Sequence, residues 1–523
     1  MARRGRGSIF VSVARVAWVA WVAWVACAGA CGHTPRRFPD RLPLWREPEQ
    51  PFFPAPKARS HEPALVTDLH EGLFPEIDEA LALGSSGPAR DVNSLDEVPD
   101  SAFFENRIGT VSPDDVAHGG EDGPALATDG RLTITGAEPG RLTVIDRNGG
   151  TFLLKLDPIG FGGLLSSSDV VAARLLWALG YPVADARLAD FAPDSLVVVA
   201  ADTTAVEQAL SRAARTASGR VRAVASRIPD GKPLGPMPWR GVRADDPNDR
   251  IPHEDRRELR ALSLIYAFLN LSDVDPDHVN DTYLAPGVVR HHFRDLEGAL
   301  AAGGTGPGVT SWWRDTAMRR GWTDRQGLEG MFYGAAGADY ARFLRRMHGR
   351  DTTIGSLEAS VDPLGFSFLY PLAAFGRLDA GDEAWAARLI LKLDDTLIAA
   401  AVSAGGHPAN DAEALARMLS ARRQSAVQVL FAQTSPFGIP VPRRTEVCAP
   451  DLGVAHGLPA AQKYEVEGAP YRLDGADVCL TPEEGYSVVR LRRERPEGVP
   501  KAREMRVHIL RAGADLRIIG IER

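Results

Sequence analysis

The sequence is poor in cysteine, in long apolar runs and in the motifs of hydrolytic catalysis. Its four cysteines are Cys27, Cys31, Cys448 and Cys479. Cys448 and Cys479 have no local His or Cys pair beside them to complete a zinc ligand set. There is no G-x-S-x-G elbow and no H-E-x-x-H helix, so a hydrolase reading has neither nucleophile nor metal pattern to rest on. Positive charge is not in excess: 60 Lys and Arg stand against 68 Asp and Glu, a net charge of −8. That balance argues against a general nucleic-acid binder. The one long apolar run, Val16–Ala30, is shorter than the ~20 residues that span a bilayer comfortably.

The N-terminus carries an export pattern instead. Arg3, Arg4 and Arg6 precede the apolar run, and Ala28, Gly29 and Ala30 lead into Cys31. A charged start, a short apolar core and a small-residue exit mark residues 1–31 as a signal peptide. A cysteine after small residues resembles a bacterial lipobox, with Ala28 where a larger aliphatic residue is usual. Cys31 is the expected lipid-attachment site; a plain signal peptide or a short membrane anchor is the alternative. Residues 32–65 hold Pro35, Pro39, Pro43, Pro48, Pro51, Pro54, Pro56 and Pro63, a density that predicts an extended, semi-rigid tether without a core. The expected location is the bacterial cell envelope, as an outer-membrane lipoprotein facing the periplasm or the cell surface. In that oxidising compartment Cys448 and Cys479 read as a disulfide, contributing about 3–4 kcal/mol on the chain-entropy model. Two separate buried thiols are the alternative.

A chain of 523 residues with 44% hydrophobic content can bury substantial cores and allows two to four domains. Residues 66–135, polar and rich in Gly, Asp and Pro, read as a wrapping segment. Residues 136–232 read as a small α/β lobe. Arg141–Asp146 and Thr151–Asp157 form a predicted hairpin around Asn148-Gly149, with Phe152, Leu154 and Leu156 on one face and Lys155 on the other. Ser166–Ser168 offer an N-cap to a helix from about Asp169 to Leu179, and further strands are predicted at Ser195–Ala200 and Arg220–Ser226. Residues 233–440 read as a large, mainly helical lobe. Its first helix, Pro252–Leu271, repeats Leu259, Leu262, Tyr266 and Leu269 at helical steps, so it buries one face. Helices are also predicted at Asp382–Ala401 and Asp411–Gln433. Residues 441–523 read as a β-rich C-terminal segment.

One set of polar residues has the order that phosphoryl transfer needs. Lys155 lies on a strand, Asp169 opens the next helix, Asp275 and Asn280 stand five apart in a loop after a long buried helix, and Asp295 ends the following strand. This is the order of parts in a protein-kinase-like fold: strand lysine, helix acid, D-x-x-x-x-N loop, then a metal-binding Asp. A lysine neutralises phosphates, a helix acid fixes the lysine, a loop Asp orients the attacking hydroxyl, and Asn and Asp hold a hard cation through oxygen. Singly, each residue has a plainer reading as a surface lysine, a helix-dipole partner or a solvated turn.

Several stretches carry a resemblance. NSLDEVPDSAFFENR, FLLKLDP, DVVAARLLWALGYPV, VASRIPDGKPLGP, PNDRIPHEDRRELRAL, FRDLEGAL, DPLGF, EAWAARLILKLDDTLIAAAV and the closing RIIGIER resemble a group of uncharacterised bacterial envelope proteins. That group looks like atypical kinases distantly related to HipA-type and phosphatidylinositol kinases. The resemblance spans roughly residues 88–523. It implies an α+β, bilobal protein-kinase-like fold, with a small β-rich lobe, a larger mainly helical lobe and the C-terminal β-rich segment. By resemblance Lys155 contacts phosphate, Asp169 stands for the usual helix Glu, Asp275 is the catalytic Asp, and Asn280 and Asp295 hold Mg or Mn with ATP. The implied activity is phosphotransfer from a bound nucleotide to an unknown acceptor.

The departures define the rival reading. Asp169 is one methylene shorter than Glu, which puts its reach to Lys155 in question. Asp277 stands where a conventional kinase has a charge-neutralising Lys, and Glu297 replaces the Gly of the D-F-G turn. The hairpin lacks a Gly-rich phosphate loop, and ATP is scarce outside the cytoplasm. The rival is a catalytically inactive, pseudokinase-like scaffold that binds a protein or glycan in the envelope. Asp273, Asp275 and Asp277 also alternate like a calcium loop, but His278 and Leu284 stand where an EF-hand needs Gly and Glu. His291 and His292 point to opposite faces of a strand and read as one core and one surface histidine.

Overall fold

A computed structural model describes residues 37–60, 87–120, 123–138, 140–272, 274, 278–284, 287–302, 353–355, 357–366, 368, 372–458, 464–494 and 504–523. The chain divides into two compact units, Met1–Asp40 and Arg41–Arg523; the architecture below is that of the second. It is an α+β structure. Among the described residues it has seventeen strands in four sheets and eight helices.

The predicted hairpin forms as β2 (Arg141–Ile145) and β3 (Thr151–Leu156), preceded by β1 (Leu132–Glu138). Asp146 holds the turn by accepting from the backbone N–H groups of Asn148 and Gly150, and Gly149 supplies the positive φ the turn requires. With β4 (Ala186–Phe191), β5 (Leu196–Val198) and β6 (Val221–Arg227) these strands make a six-stranded sheet of order β4-β6-β3-β2-β1-β5. One face carries Leu142, Phe152, Leu154 and Leu156 into a core shared with Val206 and Ala209 of the helix Thr203–Ser211. The other face, which carries Lys155, lies against the helix Leu164–Ala178: Val224 stands opposite Lys155 in register and packs in one core with Val170, Val171 and Leu175.

In chain order the helices are α1 (Pro113–His118), α2 (Leu164–Ala178), α3 (Thr203–Ser211), α4 (Arg257–Leu269), α5 (Ala380–Leu391), α6 (Asp395–Ala404), α7 (Ala409–Gln433) and α8 (Leu452–Ala455). α2 starts five residues before the expected Asp169. Its cap is not Ser166–Ser168 but Asp157, whose carboxylate accepts from the N–H groups of Gly163 and Ser166 and from the Ser166 hydroxyl. Two of the serines sit inside the helix as acceptors for Arg222, and Asp169 falls in the second turn instead of opening the helix. The predicted helix Asp382–Ala401 is two helices, α5 and α6, with Asp394 capping the second through the N–H groups of Thr396 and Leu397.

α4 begins at Arg257, after a 3₁₀ turn at His253–Asp255, and not at Pro252. It buries every side, not one face. Leu259, Leu262, Ile265 and Leu269 join the main core with Trp385, Leu389, Leu419 and Leu430, each contributing about 1.5–3 kcal/mol by burial. Its charged residues are buried because each is paired: Arg257 with Asp96 (2.6 Å) and Asp382 (3.0 Å), Arg260 with Asp255 (3.1 Å).

β7 (Lys232–Pro236), β8 (Val279–Leu284) and β9 (Val288–Phe293) form a three-stranded sheet. The C-terminal segment is β-rich, as expected. Strands β10 (Val441–Arg443), β11 (Glu446–Pro450), β12 (Tyr464–Glu467), β13 (Tyr471–Asp474), β14 (Asp477–Leu480), β15 (Gly485–Arg493), β16 (Met505–Ala512) and β17 (Asp515–Glu522) pair in two sheets, β10-β11-β14-β13 and β12-β15-β16-β17. The sheets enclose a core of Val447, Val478, Val489, Val507 and Ile509. Cys448 and Cys479 stand opposite each other on β11 and β14 and are joined in a disulfide. The terminal Arg523 pairs with Asp96 at 3.0 Å, binding this segment to residues near the start of the body.

The expected free tether over 32–65 is corrected where it is described. Residues 41–60 strap the body. Arg59 N–H donates to the Leu234 carbonyl (2.8 Å), Lys57 N–H to Asp245 (2.7 Å) and Gln50 N–H to Asn248 (2.7 Å). Tyr283 donates to the Phe53 carbonyl (2.6 Å), and Lys232 to the Pro56 carbonyl (3.1 Å). Proline removes N–H groups but leaves carbonyls outward on an extended chain, so Phe53 and Pro56 accept through their carbonyls while the non-proline residues Gln50, Lys57 and Arg59 donate. No helix among the described residues is long and apolar enough to cross a membrane. The predicted signal peptide 1–31, with Cys31, lies outside the described residues.

Candidate functional site

The hairpin β2–β3 sets Arg141 directly opposite Lys155. Both side chains meet residues of the turn that follows β9. Lys155 Nζ is 3.2 Å from Asp295 Oδ1 and 2.9 Å from Glu297 Oε2. Its third partner is Asp169 of α2, so the doubt raised by the shorter acid is answered: Asp169 reaches the lysine. Arg141 pairs with Asp295 at 3.4 Å and with Glu297 at 2.7 Å. Arg294 lies 3.3 Å from Asp295. Lys155, Asp169 and Asp295, far apart in sequence, therefore meet in one cluster between the six-stranded sheet, α2 and the end of the three-stranded sheet.

Two features hold Asp295 there. Arg294 N–H donates to the His278 carbonyl, extending the β8–β9 ladder to the residue just before Asp295. Asp295 itself has a φ of +60°, a left-handed conformation that costs a non-glycine residue about 1–2 kcal/mol. Leu300 N–H then donates to the Leu269 carbonyl (2.7 Å) at the end of α4. Arg422 donates to the carbonyls of Phe268 (2.7 Å) and Ala267 (2.8 Å), so the loop after α4 leaves from an anchored helix end.

Asp275 of the predicted D-x-x-x-x-N loop lies outside the described residues, as do Asp273 and Asp277. The neighbouring Ser272 and Val274 are buried. Asn280 is half-buried near the start of β8, opposite His292 on β9 and Pro236 on β7.

The electrostatics follow from three carboxylates around one ammonium. Burial disfavours the charged Lys155, but Asp169, Glu297 and Asp295 raise its pKa above the ordinary lysine value. Burial would push Asp295 up; Lys155, Arg141 and Arg294 overcome this and hold it well below the usual carboxylate range. Glu297 is also held down, with Lys155 and Arg141 outweighing burial and the neighbouring Asp295. Asp169 moves the other way, pushed up to about 6 by burial, with Lys155 pulling down and Glu297 and Asp295 adding to the rise. On acidification Asp169 is the first of the three to take a proton.

A second polar cluster escaped the sequence reading. Arg243 donates twice to Asp281 (2.9 and 2.6 Å), whose other oxygen meets His291 Nδ1 at 2.7 Å. His253 contacts Asp249 at 2.9 Å, and Phe103 stacks on His291 at 3.8 Å. His291 and Asp249 line a cavity of about 20 Å³ together with Glu47 and Pro48 of the strap, enough for roughly one water. The expectation of one core and one surface histidine is corrected: His291 and His292 are both buried. His291 is buried because Asp281 satisfies it. His292 is buried with neither ring nitrogen hydrogen-bonded, and burial pushes its pKa down to about 4, with Arg290 and His291 adding to the fall.

For a metal, the one group among the described residues that brings three ligand atoms together is Glu446, Cys448 and Cys479. Its sulfurs are committed to the disulfide, so it is no metal centre. No protein-family model, no curated protein and no solved structure matches the chain.

Proposed function

We propose that residues 41–523 form an atypical, bilobal kinase-like body that binds a nucleotide through its phosphates and a magnesium or manganese ion. The sheet β1–β6 with α2 would be the small lobe, α4–α7 the helical lobe, and β10–β17 a β-rich addition. The observation that carries the reading is the meeting of the Lys155 ammonium with Asp169 and Asp295 across elements far apart in sequence. A strand lysine fixed by a helix acid and aimed at the carboxylate that ends the next lobe's hairpin is the arrangement a nucleotide–metal complex requires. Asn280 and Asp295 would hold the ion through hard oxygen ligands, which suits the donor set, and Asp275 would orient the acceptor hydroxyl. The ion would supply charge neutralisation. We extend the proposal to export by residues 1–31 and to membrane attachment through a lipid on Cys31, in the bacterial envelope.

A specific observation favours the second reading, a catalytically inactive scaffold for an envelope protein or glycan. Three carboxylates already surround Lys155, one for each of its donors. Calorimetric titration of the full-length chain in mild detergent with ATP, with and without Mg²⁺ or Mn²⁺, separates the two. Metal-dependent ATP binding that is lost in Asp295→Asn supports the nucleotide reading. Binding that is absent, or unchanged in that variant, gives the site to the scaffold.

A further inference from the structure

Arg141 and Lys155 form a like-charged pair on neighbouring strands. They stand directly opposite each other on β2 and β3, and like charges at opposed positions repel. An anion between them removes the repulsion. Asp295 supplies one, its oxygens 3.4 Å from Arg141 and 3.2 Å from Lys155, and Glu297 supplies a second, closer and more exposed one, Oε1 at 2.7 Å from Arg141 and Oε2 at 2.9 Å from Lys155. A planar carboxylate spanning two cationic donors is the geometry in which phosphate oxygens are also held.

We infer that Arg141 and Lys155 are a two-cation cradle for the phosphate groups of a nucleotide or of an inorganic polyphosphate, and that Glu297 is the resident carboxylate those phosphates displace. The inference rests on the nucleotide reading above and names the gate of the same site. Its direction of access is given by exposure. The side chains of Arg141 and Glu297 are 30% and 25% exposed, against 8% for Lys155, 4% for Asp295 and 3% for Asp169. An incoming anion meets Arg141 and Glu297 first. When Glu297 leaves, Lys155 keeps Asp169 and Asp295 and stays in place. Three cations, Arg141, Lys155 and Arg294, then face two carboxylates, Asp169 and Asp295, which leaves one uncompensated positive charge for the guest. Arg141 is thus a phosphate-positioning residue that the order of motifs along the chain does not reveal.

The test titrates the full-length chain in mild detergent with tripolyphosphate, free of metal, and separately with ATP and Mg²⁺. The proteins are wild type, Glu297→Gln, Arg141→Gln and the double variant. Glu297→Gln keeps the shape and removes the competing charge, so tripolyphosphate should bind about tenfold tighter or more. Arg141→Gln should weaken tripolyphosphate about tenfold in either background. A fifth protein, Glu297→Asp, too short to reach both cations, should give an intermediate gain, and melting curves confirm that each protein is folded. Equal tripolyphosphate affinity in wild type, Glu297→Gln and Glu297→Asp overturns the gate, and unchanged affinity in Arg141→Gln overturns the cradle. If Glu297→Gln binds tripolyphosphate as tightly as ATP and without regard to metal, the cradle stands and the nucleotide reading falls. If all four proteins bind Mg·ATP alike, the nucleotide reading stands and the cradle falls. Binding of neither probe by any protein ends both.

Discussion

Two buried ionic networks, one around Arg257 and one around Lys155, look alike as lists of ion pairs and differ in what surrounds them. Arg257 donates to the Asp96 side chain and carbonyl and to Asp382. Every member is enclosed, and each partner belongs to a segment that Arg257 ties to α4. Lys155 meets its carboxylates beside a repelling cation, below a glutamate whose side chain is 25% exposed and next to a residue with left-handed backbone. The first network is closed and structural. The second has an open side and a charge that can be exchanged. Burial of ions alone does not mark a site; an ion pair with a solvent-facing competitor does.

The comparison can be broken by measuring stability. Arg257→Met should cost about 3–5 kcal/mol, because the buried Asp96 and Asp382 each lose their closest cation and keep only Arg523 and Arg260. Glu297→Gln should cost less than about 1 kcal/mol, in line with partly exposed pairs. Denaturant titration of the two variants checks this, and equal losses would make the Lys155 cluster as structural as the Arg257 one.

Acid stability sharpens the same contrast through a smaller effect. His292 is buried and has no hydrogen-bond partner among the described residues, and its folded pKa of about 4 lies below the ordinary histidine value of 6.5. Between these values the unfolded chain binds a proton that the folded chain does not. Its contribution is therefore fully present above about pH 6.5 and is lost as pH falls toward 4, on the order of 3 kcal/mol in all. Asp169 works in the opposite sense. Its folded pKa is raised to about 6 from 3.8, so it favours the folded state as pH falls through that window. In unfolding titrations at pH 5 and pH 7.5, His292→Leu should lose less stability on acidification than wild type. A larger loss in the variant would mean that His292 is charged or partnered when folded.

What was legible in the sequence was local. The Asn148-Gly149 turn, the alternation that separates Lys155 from Phe152 and Leu154, and the pairing of Cys448 with Cys479 each rest on short-range chemistry or on simple elimination. What was illegible depended on distant partners. Asp157 caps α2 from the end of β3, which displaced the expected helix start. α4 carries Arg257, Glu258 and Arg260 and so reads as one-faced, until Asp96, Asp382 and Asp255 turn the two arginines inward and Arg256 pairs with Glu258. β7 contains Pro233 and Pro236, which argue against a strand in the sequence, yet an edge strand accepts proline, and β7 is the edge of its sheet. The site divides in the same way. The spacing of its acids along the chain pointed to Lys155, Asp169 and Asp295, whereas Arg141 could be found only from strand register.

The most direct measurement uses an ATP analogue with an acyl group on its terminal phosphate, which transfers that group to a lysine in contact with the phosphates. The chain has few lysines, Lys57, Lys155, Lys232, Lys392, Lys463 and Lys501, so mass spectrometry assigns the modified residue without ambiguity. With Mg²⁺ present, the account predicts labelling at Lys155, suppressed by excess ATP and lost in Asp295→Asn. Labelling confined to the other lysines, or labelling of Lys155 that excess ATP does not suppress, would contradict it.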